Sequence, residues 1–204
     1  GDAHVKYEYT VTYGEESYTV SVAEGETTAV ATLSTGDKVT ITPAEAATIT
    51  HVAETTVDNE FTYVVDHAAQ YKTITKETGD LTITPATLTI TTGTASREYN
   101  GEPLTAEGSI SGFVTPTGGE QETATFTVTG TITEVGGPVD NTYSLVWDGT
   151  ATESDYELDA TVGTLTITQS ETELKIESSD GEWTYAGDAH VKYEYTVTYG
   201  EESY

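Results

Sequence analysis

The chain has 204 residues, 35 of them acidic against 7 lysines and arginines, for a net charge of −28 with no cysteine and no methionine. Such a surface repels nucleic acid, anionic lipid and other copies of itself, so electrostatic binding to nucleic acid or to membrane surfaces is excluded, as are disulfides. No apolar run approaches the length of a membrane span, and the residues present hold no secretory signal pattern.

Strand signals begin at once. Residues 5–13 alternate with period two and place Val5, Tyr7, Tyr9, Val11 and Tyr13 on one face. Gly14-Glu15-Glu16 breaks the run and residues 17–22 resume it, which predicts a hairpin. Glu24-Gly25-Glu26 marks a turn before the strand at 29–33. Gly36-Asp37 leads into 38–42, stopped by Pro43. Residues 43–47 are the one stretch that admits a helical turn. Further strands are predicted at 48–52, 60–65, 71–75 and 80–84, the last ended by Pro85. The pattern then restarts: a strand at 87–91, a turn at 99–104, strands at 105–111, 124–128 and 130–135, a break at Gly136-Gly137-Pro138, and strands at 142–147 and 163–168. Residues 171–177 open a third series, running through Trp183-Thr184-Tyr185-Ala186.

That third series leads into a repeat. Residues 187–204 read GDAHVKYEYTVTYGEESY, identical to residues 1–18. The offset, 187 − 1, is a period of 186 residues, and eighteen identical letters imply a tandem array. Removing the second copy (Asp188, Glu194, Glu201, Glu202 and Lys192) leaves 31 acids and 6 bases, or −25 per period.

The first two series also align with each other. Thr48-Ile49-Thr50-His51-Val52 precedes Val57-Asp58-Asn59 as Thr131-Ile132-Thr133-Glu134-Val135 precedes Val139-Asp140-Asn141. Leu81-Thr82-Ile83-Thr84 matches Leu165-Thr166-Ile167-Thr168, and Tyr99-Asn100-Gly101 matches Tyr185-Ala186-Gly187. The expected organisation is a longer β-sandwich module at 1–86 that lacks its first strand, a shorter one at 87–170, and at 171–204 the opening strands of the next longer module. Short strands separated by Gly and Pro turns read as an all-β chain of Ig-like sandwiches in tandem, forming a rod or filament.

A Tyr-x-Gly turn, a Thr-Ile-Thr-x-Val followed by Val-Asp-Asn, and a closing Leu-Thr-Ile-Thr, in that order, resemble the MBG-type and related Ig-like repeats of large bacterial surface proteins. The resemblance covers both modules. The longer module departs from it through the extra hairpin in residues 18–33. It implies an extracellular, wall-linked or filamentous adhesin stalk, with no catalytic residues to carry over.

Candidate chemistry is sparse. His4 (repeated as His190), His51 and His67 have no second His or Cys at a metal spacing, and read as surface or packing residues. No catalytic signature is present, and Glu15-Glu16 reads as a solvated turn. Calcium is the one metal worth weighing, as a weak candidate. Asp58, Asn59, Asp140 and Asn141 supply oxygen ligands, as does an acidic loop holding Asp148, Glu153, Asp155 and Asp159. Asp-Asn before a strand is also an ordinary turn that needs no ion. A Lys–Asn cross-link cannot form in the shorter module, which has no lysine, and Asn59 is the only asparagine of the longer one. Trp147 and Trp183 read as core anchors.

The expectation is a non-enzymatic structural repeat of an extracellular surface stalk, with an adhesin module recognising a host glycan or protein as the alternative. Its partners would be neighbouring copies, head-to-tail. The longer module's missing first strand would come from residues 171–186 of a preceding repeat or another molecule.

Overall fold

The computed structural model describes residue 5 and residues 7–204. Residues 1–4 and Lys6 lie outside the described residues, and with them His4 and the start of the first predicted strand. The described chain is all-β, with three short 3-10 helices at Val52–Glu54, Ala68–Gln70 and Glu153–Asp155. Cα proximity divides it into two units. One holds residues 1–89, 110–125 and 145–159; the other holds 90–109, 126–144 and 160–204.

The first series gives β1 (Glu8–Tyr13), β2 (Glu16–Ser21), β3 (Ala29–Thr32), β4 (Lys38–Pro43), β5 (Thr56–Asp58), β6 (Phe61–Val65) and β7 (Asp80–Thr82). β1 and β2 form the predicted hairpin, with Tyr13 opposite Glu16 and Gly14 at φ 61°, a left-handed turn position that glycine fills without strain. Strand order in the next sheet is β3-β4-β6, while β5 pairs with β7. Alternation decides what is buried. Ala29 sits opposite Ile41, Ala31 opposite Val39 and Ile41 opposite Tyr63, all facing one core, while Val30 and Val64 between them face solvent. Tyr9 closes this core edge-on to Phe61 at 5.3 Å.

The second series gives β8 (Ala86–Thr92), β9 (Ala95–Glu98), β10 (Gly108–Ser111), β11 (Thr125–Val128), β12 (Gly136–Asp140), β13 (Tyr143–Val146), β14 (Tyr156–Thr161) and β15 (Thr164–Thr168). The sheets are ordered β10-β8-β14, β11-β13 and β12-β15-β9. Leu88, Ile90 and Thr92 point inward from β8 and are fully or almost fully buried. β9 runs parallel to β15, with Ala95 opposite Leu165 and Glu98 opposite Thr168. The tail forms β16 (Leu174–Ser178), β17 (Tyr195–Tyr199) and β18 (Glu202–Ser203), in that order in one sheet.

Six predicted features change. Residues 43–47 are not the one helical stretch: Pro43 belongs to β4, Ala47 N–H closes a simple turn on the Ala44 carbonyl at 3.0 Å, and the 3-10 helices stand elsewhere. Residues 48–52 keep only an isolated bridge at Ile49: the Glu54 carboxylate accepts hydrogen bonds from the Thr50 and His51 N–H groups at 2.5 and 2.6 Å, taking donors that a longer ladder would need. No strand forms over residues 71–75. In 130–135 only Ile132 pairs, by a bridge to Leu104, because the chain at Gly130 lies against the Asn141 backbone. The predicted break at Gly136-Gly137-Pro138 is instead part of β12. It is an edge strand whose register shifts between Gly136 and Val139, the setting in which a sheet tolerates proline. Trp183 is 47 % exposed and stacks on His190 rather than anchoring a core, whereas Trp147 is half-buried and stacks on Tyr156.

The internal alignment has a geometric counterpart. Val57 faces Leu81 and Asp58 faces Asp80, as Val139 faces Leu165 and Asp140 faces Thr164. The next residue then donates its N–H to a glycine carbonyl in both series, Asn59 to Gly79 at 2.7 Å and Asn141 to Gly163 at 2.8 Å.

Candidate functional site

The calcium candidates do not gather. Asp58 and Asp140 are exposed at the ends of β5 and β12. Asn141 is fully buried, and its side-chain amide donates to the Gly93 and Ala106 carbonyls at 3.0 and 3.1 Å. Asp148 accepts from the Thr125 N–H at 3.1 Å and hydroxyl at 2.9 Å. Asp159 lies within β14 rather than in an acidic loop. Tyr156, Leu158 and Ala160 alternate with Glu157, Asp159 and Thr161, a period-two signal masked by the low strand propensity of its acids, and Tyr156 at its start is buried. Among the described residues no group of three acidic or histidine side chains is placed to hold a metal ion.

Asp155 is bound differently. Its carboxylate receives the Val52 N–H at 2.8 Å through one oxygen and meets His51 Nδ1 at 2.6 Å through the other. These partners stand 103 and 104 residues away in sequence, so the residue after the first Thr-Ile-Thr meets the 3-10 turn before β14. Beside it Tyr156 receives the Val114 N–H at 3.0 Å and donates to Glu122 at 2.6 Å. Burial, helped by the Glu122 carboxylate, pushes the Tyr156 phenol up to about 12. No local sequence signal marked His51 and Asp155 as partners.

A second polar cluster sits on the turn between β3 and β4. Asp37 accepts from the Tyr71 hydroxyl at 2.7 Å and pairs with His67 Nδ1 at 2.8 Å. His67 caps the turn at Ala68–Gln70 in a left-handed conformation, φ 49°. The hydrogen bond to Asp37 raises the His67 pKa, and the same bond, with that from Tyr71, lowers the Asp37 pKa. Glu16 accepts from the Tyr18 and Ser34 hydroxyls at 2.7 and 2.5 Å, and those bonds hold its carboxyl below the ordinary range, Ser34 contributing most. Tyr13 lies edge-on to Tyr71 at 5.7 Å.

No protein-family model matches the chain, and neither does any curated protein or solved structure. The internal repeat is therefore the comparison that the molecule supplies for itself. At the first copy Thr12 pairs with Ser17 and Tyr13 with Glu16; at the second Thr198 pairs with Ser203 and Tyr199 with Glu202. Each residue is displaced by the period of 186, and Gly14 and Gly200 share φ 61°. The lysine-to-asparagine idea gains nothing: Lys76 is held by Glu60 at 2.5 Å and lies over the Phe61 ring.

Proposed function

We propose that this chain is a structural repeat unit of an extracellular bacterial surface stalk or filament, which extends or links cells without catalysis. The carrying observation is the exact eighteen-residue repeat that closes the same hairpin register at both ends. A uniform, strongly acidic, cysteine-free repeat suits a part made many times over, kept soluble by charge. On this reading the modules are tandem Ig-like sandwiches in a rod, advancing roughly 70–90 Å per period if each module contributes about 35–45 Å. Solution scattering on fragments of one, two and three periods tests it. The maximum dimension should grow linearly with period number; a compact particle that grows only as the cube root would sink the reading.

The alternative, an adhesin module binding a host glycan or protein through its loops, draws on the tyrosine and carboxylate cluster around Asp37, Tyr71 and Tyr13. Saturable binding of one isolated period on a glycan array, lost in Tyr71→Ala, would favour it.

A further inference from the structure

The chain has three asparagines, and the fold treats them differently. Asn141 is fully buried, with its side-chain amide tied to the Gly93 and Ala106 carbonyls. Asn59 is half-buried and is followed by Glu60, whose N–H is taken by the Asp58 carbonyl at 2.8 Å. Asn100 stands in the exposed turn after β9, and the residue that follows it is Gly101. This turn is held at both ends: Tyr99 N–H donates to the Thr168 carbonyl at 2.9 Å, and Leu104 N–H to the Ile132 carbonyl at 2.8 Å. Arg97, the only lysine or arginine in residues 87–170, donates to the Glu102 carbonyl within it.

An asparagine side chain is an electrophile toward the backbone nitrogen that follows it, and the turn favours that attack in three ways. Glu102 N–H donates to Asn100 Oδ1 at 3.0 Å, so a donor already points at the oxygen on which negative charge gathers when Cγ is attacked. Gly101 N–H has no protein acceptor among the described residues, and glycine brings no Cβ to crowd the approach. Asn100 is exposed, so the departing nitrogen leaves directly into water. The aligned turn Tyr185-Ala186-Gly187 supplies a comparison. Its glycine has the same left-handed conformation, φ 85° against 81° at Gly101, with alanine in place of the asparagine. The turn forms without the amide.

We propose that Asn100-Gly101 is a self-modifying site, where the chain converts its own asparagine through a cyclic imide with water as the only co-reactant. The Gly101 nitrogen loses its proton to solvent base and bonds to Asn100 Cγ. The Cγ–Nδ2 bond breaks, and the side-chain nitrogen takes up a proton from water and leaves as ammonia. Water then opens the imide, and nothing is oxidised or reduced. Breaking the new Cγ–N bond gives aspartate. Breaking the original backbone C–N bond gives isoaspartate, in which the main chain runs through the side chain. Either product adds a negative charge to the turn that Arg97 holds. Asn59 and Asn141 lack this arrangement and remain amides. The site goes beyond the repeat-unit reading and does not depend on it.

The test incubates the full folded chain in warm, mildly alkaline buffer and follows each asparagine by peptide mapping and mass spectrometry, with fragmentation that separates isoaspartate from aspartate. Expected are ammonia release that matches the loss of Asn100, both products at position 100, and conversion there at least about ten-fold faster than at Asn59 or Asn141. The rate should rise with pH, because the Gly101 nitrogen attacks only after losing its proton. Asn100→Gln keeps an amide but must close a larger ring, and should slow the release at least about ten-fold. Asn100→Ala copies the aligned turn, so it should fold normally and abolish the release. An Asn100 that stays an amide, or converts no faster than Asn59 and Asn141, overturns the proposal. So does equal release from Asn100→Gln, or aspartate without isoaspartate, which would mark direct hydrolysis of the side chain.

Discussion

Asn141 shows how much one polar side chain carries in a thin β-protein. It is 0 % exposed, and its amide satisfies two backbone carbonyls, Gly93 and Ala106, that no strand serves. Asn141→Leu should cost about 2–4 kcal/mol in urea denaturation, because both carbonyls lose a buried donor. Asn141→Asp should be worse at pH 7 and partly recover in acid. A carboxylate buried against carbonyls titrates high, so its destabilisation grows as pH rises through that value. The Asp37–His67 pair gives the opposite dependence. His67 has a folded pKa above its ordinary 6.5, so its contribution is complete below that value and is lost as pH rises through the folded one. Asp37 has a folded pKa below its ordinary 3.8, so its contribution holds above 3.8 and is lost as pH falls through the folded one. The melting difference between the chain and His67→Gln should be largest at about pH 5–6 and vanish at alkaline pH. A difference that persists unchanged at about pH 9 would mean that the imidazole acts through packing.

At the scale of elements, Tyr156 is the joint between a 3-10 turn and β14. Its ring packs with Leu88, Phe113 and Trp147, and its hydroxyl links the Val114 N–H to Glu122. Tyr156→Phe keeps the packing and removes the link, so equilibrium unfolding should show a loss of about 1–3 kcal/mol. Tyr156→Ala should lose about 3–5 kcal/mol. A neutral Tyr156→Phe would assign the whole role to the ring. The strands built on alternation were legible in the sequence: β1, β3, β4, β6, β8 and β15 fall where period-two patterning placed them. What escaped has particular causes. β9 reads Ala-Ser-Arg-Glu, which shows no apolar period, and β14 alternates with period two but fills its polar positions with acids of low strand propensity. β12 contains a proline that only an edge strand tolerates. His51 and Asp155 meet through a fold that joins residues 104 positions apart, which no local pattern encodes. Residues 71–75 carry a strand pattern without a strand.

For the whole molecule the governing quantity is charge. At −28 over 204 residues, like charges repel within each folded unit, and unfolding relieves the repulsion by spreading them apart. Salt screens such interactions over about 10 Å at 0.1 M, so the melting temperature should rise with sodium chloride up to a few tenths molar. Calcium separates screening from binding. The carboxylates best placed by sequence are already engaged: Asp148 with Thr125, and Asp155 with Val52 and His51. Asp58 and Asp140 stand exposed at strand ends, where a cation would have to share them with water. Calcium chloride and sodium chloride at equal ionic strength should therefore give equal melting temperatures. A calcium-specific rise that saturates in the millimolar range, and is abolished by Asp58→Asn with Asp140→Asn, would show that these two exposed carboxylates hold an ion after all.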